Sequence, residues 1–415
     1  MPLPGLSADL WPLLARAAAP ARLALVGGAV RDLLLHREHR DPWRGLMDLD
    51  LVVEAEAGTS PSPAEQLLRA LKDTAGVRVR SATPHGRFGT VEVDLQVECQ
   101  ELLLDLASAR RESYPSPAAN PEVRFGCLEE DLARRDFSIN AMALLLDPAG
   151  GEPQLLDPHG GAPDLQRREL RFLHEGSLRD DPTRLVRAAR YAARLGFRLE
   201  EGSCQQVART IAAWPWPWRP GDPPEQAPPA LSTRLRMELE LLLEREPWPE
   251  ALAHLQSWGG FTLLDSSLQA DRHWLRRLRW ADRLALPRLP ALLAGASDPD
   301  GLAHRLQLPH GQRQLLQRWL GLRERLDHLE AWPVGAAGWT HWLEQAGLSA
   351  DGVALALATA SGPRRPLLRW WLRWRHLRAP LSAAELMAQE GLQPGPRLGE
   401  RLRHLRTERL RREPL

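Results

Sequence analysis

The sequence predicts an α+β chain: a head built on a mixed β-sheet with helices, followed by an all-helical arm. Two observations carry this. Runs of strand type lie between residues 22 and 150, and after Asp157 they all but vanish. Beyond that point helical segments alternate with Gly/Pro breaks.

In chain order, Arg22–Val26 is a short apolar run that predicts a strand, and Gly27-Gly28 then open a helical pattern through Leu35. Asp48–Glu54 alternates and is rich in Leu and Val, as a strand requires, and Thr90–Cys99 and Leu102–Leu106 predict further strands of the same sheet. Ser108–Cys127 holds Pro115, Pro117 and Pro121 with few apolar residues, so a mobile loop is expected. Leu128–Leu146 is expected to turn helical, and Asp181–Leu195 is a strong helix. Trp214–Ala230 carries seven prolines and is expected as a loop or linker. Leu231–Arg245 has the Leu/Met stripe of an amphipathic helix. No internal repeat is visible.

Composition narrows the class. At 415 residues, with 43% apolar and 26% charged residues, the chain is an ordinary globular one with two or three domains of about 150 residues each. No run approaches the roughly 18 apolar residues of a membrane span. Met1-Pro2-Leu3-Pro4 is not a basic segment followed by an apolar stretch, so no secretory signal is expected, and Cys99, Cys127 and Cys204 form no CxxC pair. The expectation is a reducing compartment, the cytoplasm. The net charge of +1 hides an asymmetry, because Pro363–Leu415 holds 13 Arg against 5 Glu. A basic end on a near-neutral chain suggests a polyanionic partner. Trp370, Trp371 and Trp374, among 16 Trp in all, are expected mainly as helix-packing residues.

Four motifs carry chemistry. Leu25–Leu35 (LVGGAVRDLLL) places two glycines between a strand and a helix, where backbone approaches a ligand and helix N–H groups meet an anion. In Met47–Val53 (MDLDLVV), Asp48 and Asp50 share one strand face. Two adjacent carboxylates repel, and a hard divalent cation such as Mg²⁺ relieves the repulsion. Asp105 ends a neighbouring strand, and three such acids can serve an in-line phosphoryl displacement. In Leu132–Leu144 (LARRDFSINAMAL), Arg134, Arg135 and Asp136 precede an apolar helix and suit a triphosphate or ribose. In the fourth, Asp181, Arg184, Arg187 and Arg190 recur every three residues, forming a stripe on a helix. An Asp accepts from an exocyclic amine and an Arg donates to a ring nitrogen, a pairing that cytosine and adenine fit and that uracil and guanine reverse.

Together, GGAVRD, DLD, RRDFSINAMAL, DPHGGAPDL and DDPTRLVRAARYAARLGF stand in the order of the class II tRNA nucleotidyltransferases and bacterial poly(A) polymerases, which the chain resembles. These families belong to the polymerase-β-like nucleotidyltransferase superfamily. Leu231–Leu243 and Leu381–Leu405 are similar to later family segments, so the resemblance covers about residues 22–245 and 381–410. It implies a nucleotidyltransferase head (1–147) and a helical neck with the base-reading helix and the Pro/Trp-rich insertion 214–230 (148–260). A helical body (261–362) and a basic tail that contacts tRNA (363–415) follow. It implies Mg²⁺ held by Asp48 and Asp50, with Asp105 as a third catalytic carboxylate. Nucleotide contacts fall to Gly27, Gly28, Arg31, Asp32, Arg135, Asp136 and Asn140. Base reading falls to Asp181 and Arg184, supported by Arg187 and Arg190. Ser108–Cys127 matches the flexible loop that helps the switch from C to A.

The implied partners are tRNA, CTP and ATP, with no membrane and no obligatory protein partner. Two departures stand out: Asp180-Asp181 replaces the usual Glu-Asp, and the 214–230 insertion interrupts the neck. No His-Asp metal pair suggests an appended phosphohydrolase domain. The expected activity is template-free CCA addition to tRNA. The alternatives are an A-adding or CC-adding half of a split system, a poly(A) polymerase, or a catalytically silent tRNA-binding protein.

Overall fold

The computed structural model describes all residues except 1–3, 5, 8, 44–48, 55–60, 86–88, 98–99, 346–347 and 415. Asp48 and Cys99, both singled out above, lie outside the described residues. The chain divides into two compact units. One comprises residues 1–218, 228–238 and 244–259, the other 219–227, 239–243 and 260–415.

In the first unit the order is α1 (Leu10–Ala18), β1 (Arg22–Val26), α2 (Gly28–Glu38), β2 (Leu49–Glu54), α3 (Pro63–Asp73), β3 (Val77–His85), β4 (Thr90–Val97) and β5 (Gln100–Ser108). There follow β6 (Arg110–Ser113), β7 (Glu122–Phe125), α4 (Leu128–Ala133), β8 (Ala143–Leu145), β9 (Gln154–Leu156), α5 (Gly161–Arg167), α6 (Ser177–Asp180), α7 (Thr183–Leu195) and α8 (Glu201–Ala213), and then the start of α9 (Thr233–Arg245), whose residues 239–243 are counted with the second unit. Seven strands form one mixed sheet in the order β3-β4-β5-β2-β1-β8-β9. Only β2 and β5 run parallel within it; the other neighbours are antiparallel.

Alternation explains which face is which. In β4 and β5, Val91, Val93, Leu95, Leu102, Leu104 and Leu106 are buried, and α3 packs against these strands. Their neighbours in sequence point to the other face. Asp50 pairs directly with Asp105 across β2 and β5, and Asp105 with Glu92 across β5 and β4. Strand register therefore lays three carboxylates in one row on the face away from α3.

Three expectations are corrected. The expected helix over Leu128–Leu146 stops at Ala133; a single 3₁₀ turn at Ser138–Asn140 leads into β8, which pairs with β1 and β9. The expected loop at Ser108–Cys127 contains the antiparallel hairpin β6–β7, in register from Arg110↔Phe125 to Ser113↔Glu122. Asp181 precedes α7 rather than lying on it, with an extended backbone after the short helix α6.

The second unit is helical. Its core gathers Leu316, Trp319, Val353, Leu355, Leu292 and Trp374 from several helices, all buried. The Trp319 indole N–H donates to the Thr359 hydroxyl at 3.1 Å, which satisfies the polar edge of a buried ring. No helix among the described residues is long and apolar enough to cross a membrane.

Candidate active site

A cleft of about 1120 Å³ opens in the first unit, lined by the Gly27-Gly28 turn, the carboxylate row, the hairpin and the start of α7. Gly27 sits at φ +70°, a backbone conformation that other residues adopt only under strain. A Cβ there would lie 3.1 Å from an Arg135 guanidinium nitrogen and 3.4 Å from an Asp50 carboxylate oxygen. The glycine thus leaves room where the strand-end carboxylate, an arginine and the N-terminus of α2 converge. That is a place for an anion beside a carboxylate.

The carboxylate row consists of hard oxygen donors, which suit a hard divalent cation. Asp50 is exposed and Asp105 half-buried, and both line the cleft with Glu92. Among the described residues no group of three is close enough to form a complete metal cage. The adjacent pair Asp50 and Asp105 fits a cation that takes its remaining ligands from substrate and water, as Mg²⁺ commonly does.

Around Asp136 a buried network assembles. Its Oδ1 accepts from the Phe137 backbone N–H at 2.9 Å and from the Asn140 amide at 3.1 Å, and its Oδ2 pairs with Arg187 at 2.7 Å. Burial opposes the charge on Asp136, but Arg187, Asn140 and Arg184 outweigh it and hold the carboxyl below the usual range. The same Asp136 charge raises the Arg187 guanidinium. The Asn140 carbonyl oxygen accepts from Arg31 at 2.8 Å, and Arg31 also pairs with Asp32 and lies 5.4 Å from the Tyr191 ring centre. Arg31 and Asp32 thus stand behind the glycine turn and do not line the cleft.

At the start of α7, Asp181 and Arg184 are both buried. Asp181 Oδ1 accepts from the Thr183 N–H at 3.0 Å and its hydroxyl at 2.6 Å, while Oδ2 pairs with Arg234 of α9. Arg184 donates to the Arg134 carbonyl at 3.0 Å, and its other terminal nitrogen has no protein partner. An unpartnered buried donor costs stability unless something else accepts from it. Arg190 does not line the cleft: it pairs with Glu238 and, at 3.3 Å, with Glu246, and so ties α7 to α9.

The sequence reading missed several lining residues. Arg110 and Glu112 of β6 pair at 3.1 Å, and Glu112 reaches Arg134 at 3.2 Å, so the hairpin is stitched to the RRD segment. Burial and the nearby Arg134 charge push the Arg110 guanidinium down. Tyr114, on the same hairpin, is pushed up by burial. Arg234 was absorbed into the amphipathic stripe of Leu231–Arg245, and the one signal for it is a charge at the very start of that stripe.

Comparisons with known proteins follow the same lines. The family model for the poly A polymerase head domain matches residues 23–171. A CC-adding tRNA nucleotidyltransferase of Deinococcus radiodurans is 39% identical over 314 residues, 74% of this chain and 72% of that protein. An A-adding tRNA nucleotidyltransferase of Halalkalibacterium halodurans is 42% identical over 193 residues, 46% of this chain and 40% of its own length. Among solved structures, a CCA-adding enzyme in an apo form aligns at TM-score 0.70 and 25% identity, covering 98% of this chain and 92% of that one.

Proposed function

Since the chain belongs to the class II tRNA nucleotidyltransferase family, we propose that it adds C, C and A in turn to the 3′ end of tRNA, from CTP and ATP. The observation that carries this reading is that one cleft holds both the carboxylate pair Asp50/Asp105 and the base-complementary pair Asp181/Arg184. In the reaction the 3′-hydroxyl oxygen bonds to the α-phosphorus, the bond to the β-phosphate bridge breaks, and pyrophosphate leaves.

Enzymes of this kind are metal-dependent. We assign the metal as Mg²⁺, held by Asp50 with Asp48 and flanked by Asp105. When bound it supplies charge neutralisation at the reacting phosphate. The chain's own groups do the rest. The carboxylate row takes up the proton that the hydroxyl loses. The Gly27-Gly28 turn and Arg135 hold the triphosphate, and the network Arg31–Asn140–Asp136–Arg187 fixes their surroundings. Asp181 accepts from the amine of cytosine or adenine, and the unpartnered nitrogen of Arg184 donates to the ring nitrogen. The head (1–147) and neck (148–260) carry the chemistry; the body (261–362) and basic tail (363–415) hold the tRNA in the cytoplasm.

A second reading is half of a split system, because the two relatives above add CC and A respectively. The test uses one tRNA transcript ending at the discriminator base, at C and at CC. Each is incubated with CTP, ATP or both and sized at single-nucleotide resolution. Three additions followed by arrest support CCA addition. A stop after CC, or A added only to the CC form, replaces it with the matching half-reaction, and a long A ladder with a poly(A) polymerase. Asp50→Ala is expected to abolish incorporation while tRNA binding persists; tight binding without incorporation by the unaltered chain would instead make it a silent tRNA-binding protein.

A further inference from the structure

We propose that the Trp/Pro-rich segment after α8 is a strap that positions the base-reading Asp181, with Trp216 as its anchoring residue. This rests on the reading of Asp181 and Arg184 given above.

The need arises from α6. This helix ends at Asp180, and the backbone turns extended at Asp181. The last carbonyls of a helix have no partner within it. So short a helix cannot hold its own end rigidly, yet Asp181 must present one carboxylate geometry to a base edge. Here both final carbonyls are taken by distant groups. The Arg179 carbonyl accepts from the Trp216 indole N–H at 3.1 Å. The Asp180 carbonyl accepts from the Ala118 backbone N–H at 3.2 Å.

Both donors lead back to the two ends of one segment. Trp216 is buried against Trp214 edge to face, with ring centres 4.9 Å apart, and the Trp214 indole N–H donates to the Trp218 carbonyl at 2.7 Å. The first end of the strap thus closes on itself through the Trp214 indole and the Trp218 carbonyl, while the Trp216 indole N–H reaches out to Arg179. At its other end, the Ala230 N–H donates to the Ala118 carbonyl at 3.1 Å. Ala118 is fully buried, at φ +64°, between the β6 and β7 strands. Its two backbone bonds join the strap, the hairpin and the residue before Asp181. A displacement at Arg179 or Asp180 passes directly to Asp181, one or two residues on.

Loss of the indole donor should therefore relax base selection more than it slows addition of the correct nucleotide. The test uses the full chain with tRNA ending at the discriminator base and at CC. It measures kcat and KM for CTP, ATP, UTP and GTP, with thermal unfolding alongside. Trp216→Phe is expected to raise incorporation of UTP against CTP, and of GTP against ATP, roughly three- to tenfold, the scale of one lost hydrogen bond. Its kcat for CTP should stay within about twofold of the unaltered chain, less than the loss in selection. Trp214→Phe removes an indole donor whose acceptor lies within the strap and leaves the bond to Arg179 in place, so its relaxation of selection should be clearly smaller.

Should Trp216→Phe unfold, benzothienylalanine at 216 keeps the fused ring and lacks only the N–H, and the same relaxation is expected. Unaltered selection in a folded variant lacking the N–H would overturn the proposal, as would equal relaxation in Trp214→Phe. Asp181→Ala is the separate control. Normal selection in that variant overturns base reading itself. Relaxed selection there, with unaltered selection on loss of the Trp216 donor, overturns the strap alone.

Discussion

Asp181 has two oxygens, and the protein already claims both: Thr183 binds one and Arg234 the other. A carboxylate offers about four lone-pair sites, so an incoming amine still has an acceptor, and the protein partners fix which one faces it. In the proposed reading Arg234 is a positioning residue. Arg234→Ala is expected to raise KM for CTP and ATP together by roughly three- to tenfold while the fold persists. Steady-state kinetics check this, and an unchanged KM for both would remove Arg234 from the site. Asp136 gives a different signature. Its carboxyl is held below the usual range, so the stability it adds is complete above the unfolded carboxyl's value and is lost as pH falls through the lower, folded one. At neutral pH, Asp136→Asn should cost roughly 2–3 kcal/mol, moderated because Arg187 is partly open to solvent. The gap in melting temperature between variant and parent should narrow only below about pH 4, since the unfolded carboxyl titrates near there. A gap that closes between pH 5 and 7 would assign the effect to another group.

At the scale of elements, the turn from β1 to α2 was legible because two adjacent glycines after an apolar run have few other uses. The structure supplies the reason for the first of them: a positive φ and a neighbouring arginine and carboxylate. Gly27→Ala should therefore lose roughly 1–3 kcal/mol through backbone strain alone. It should also raise KM for nucleotides by displacing Arg135, read by thermal unfolding and kinetics on the same preparation; an unmoved KM would detach the turn from nucleotide binding. Two elements were illegible for opposite reasons. β8 is a short, wholly apolar run flanked by β1 and β9, and such runs lack the alternation that separates strand from helix. The hairpin β6–β7 is instead so polar that it reads as a loop. Its two strands are joined by the ladder, and its first strand is tied to the RRD segment by the Glu112–Arg134 ion pair. Tyr114 was missed with it. Asp50 and Asp105 could each be named from their strands, but their direct pairing depends on the parallel β2–β5 register, which no local pattern encodes.

At the scale of the whole chain, charge is distributed unevenly, and the second unit makes that asymmetry testable. Some of its C-terminal arginines are committed to protein partners: Arg373 pairs with Glu413, Arg401 with Glu390, and Arg406 with Glu344. Arg397, Arg403, Arg411 and Arg412 are exposed and make no ion pair among the described residues. A solvated face and a phosphate-contacting face look alike in sequence, but they differ in their response to salt. Each arginine that meets a phosphate releases condensed counterions, adding roughly 0.7–0.9 to the slope of log affinity against log salt. Changing all four to Gln should therefore weaken tRNA binding and lower that slope by up to about 3. Nucleotide addition at saturating tRNA should remain near normal, because the carboxylate row and the Asp181/Arg184 pair belong to the first unit. Binding measured across a salt series separates the cases. A smaller slope with intact saturated turnover makes this face a backbone contact that holds tRNA without reading its sequence. An unchanged slope makes the arginines a solvated surface and moves the search for the tRNA path to the rest of the chain.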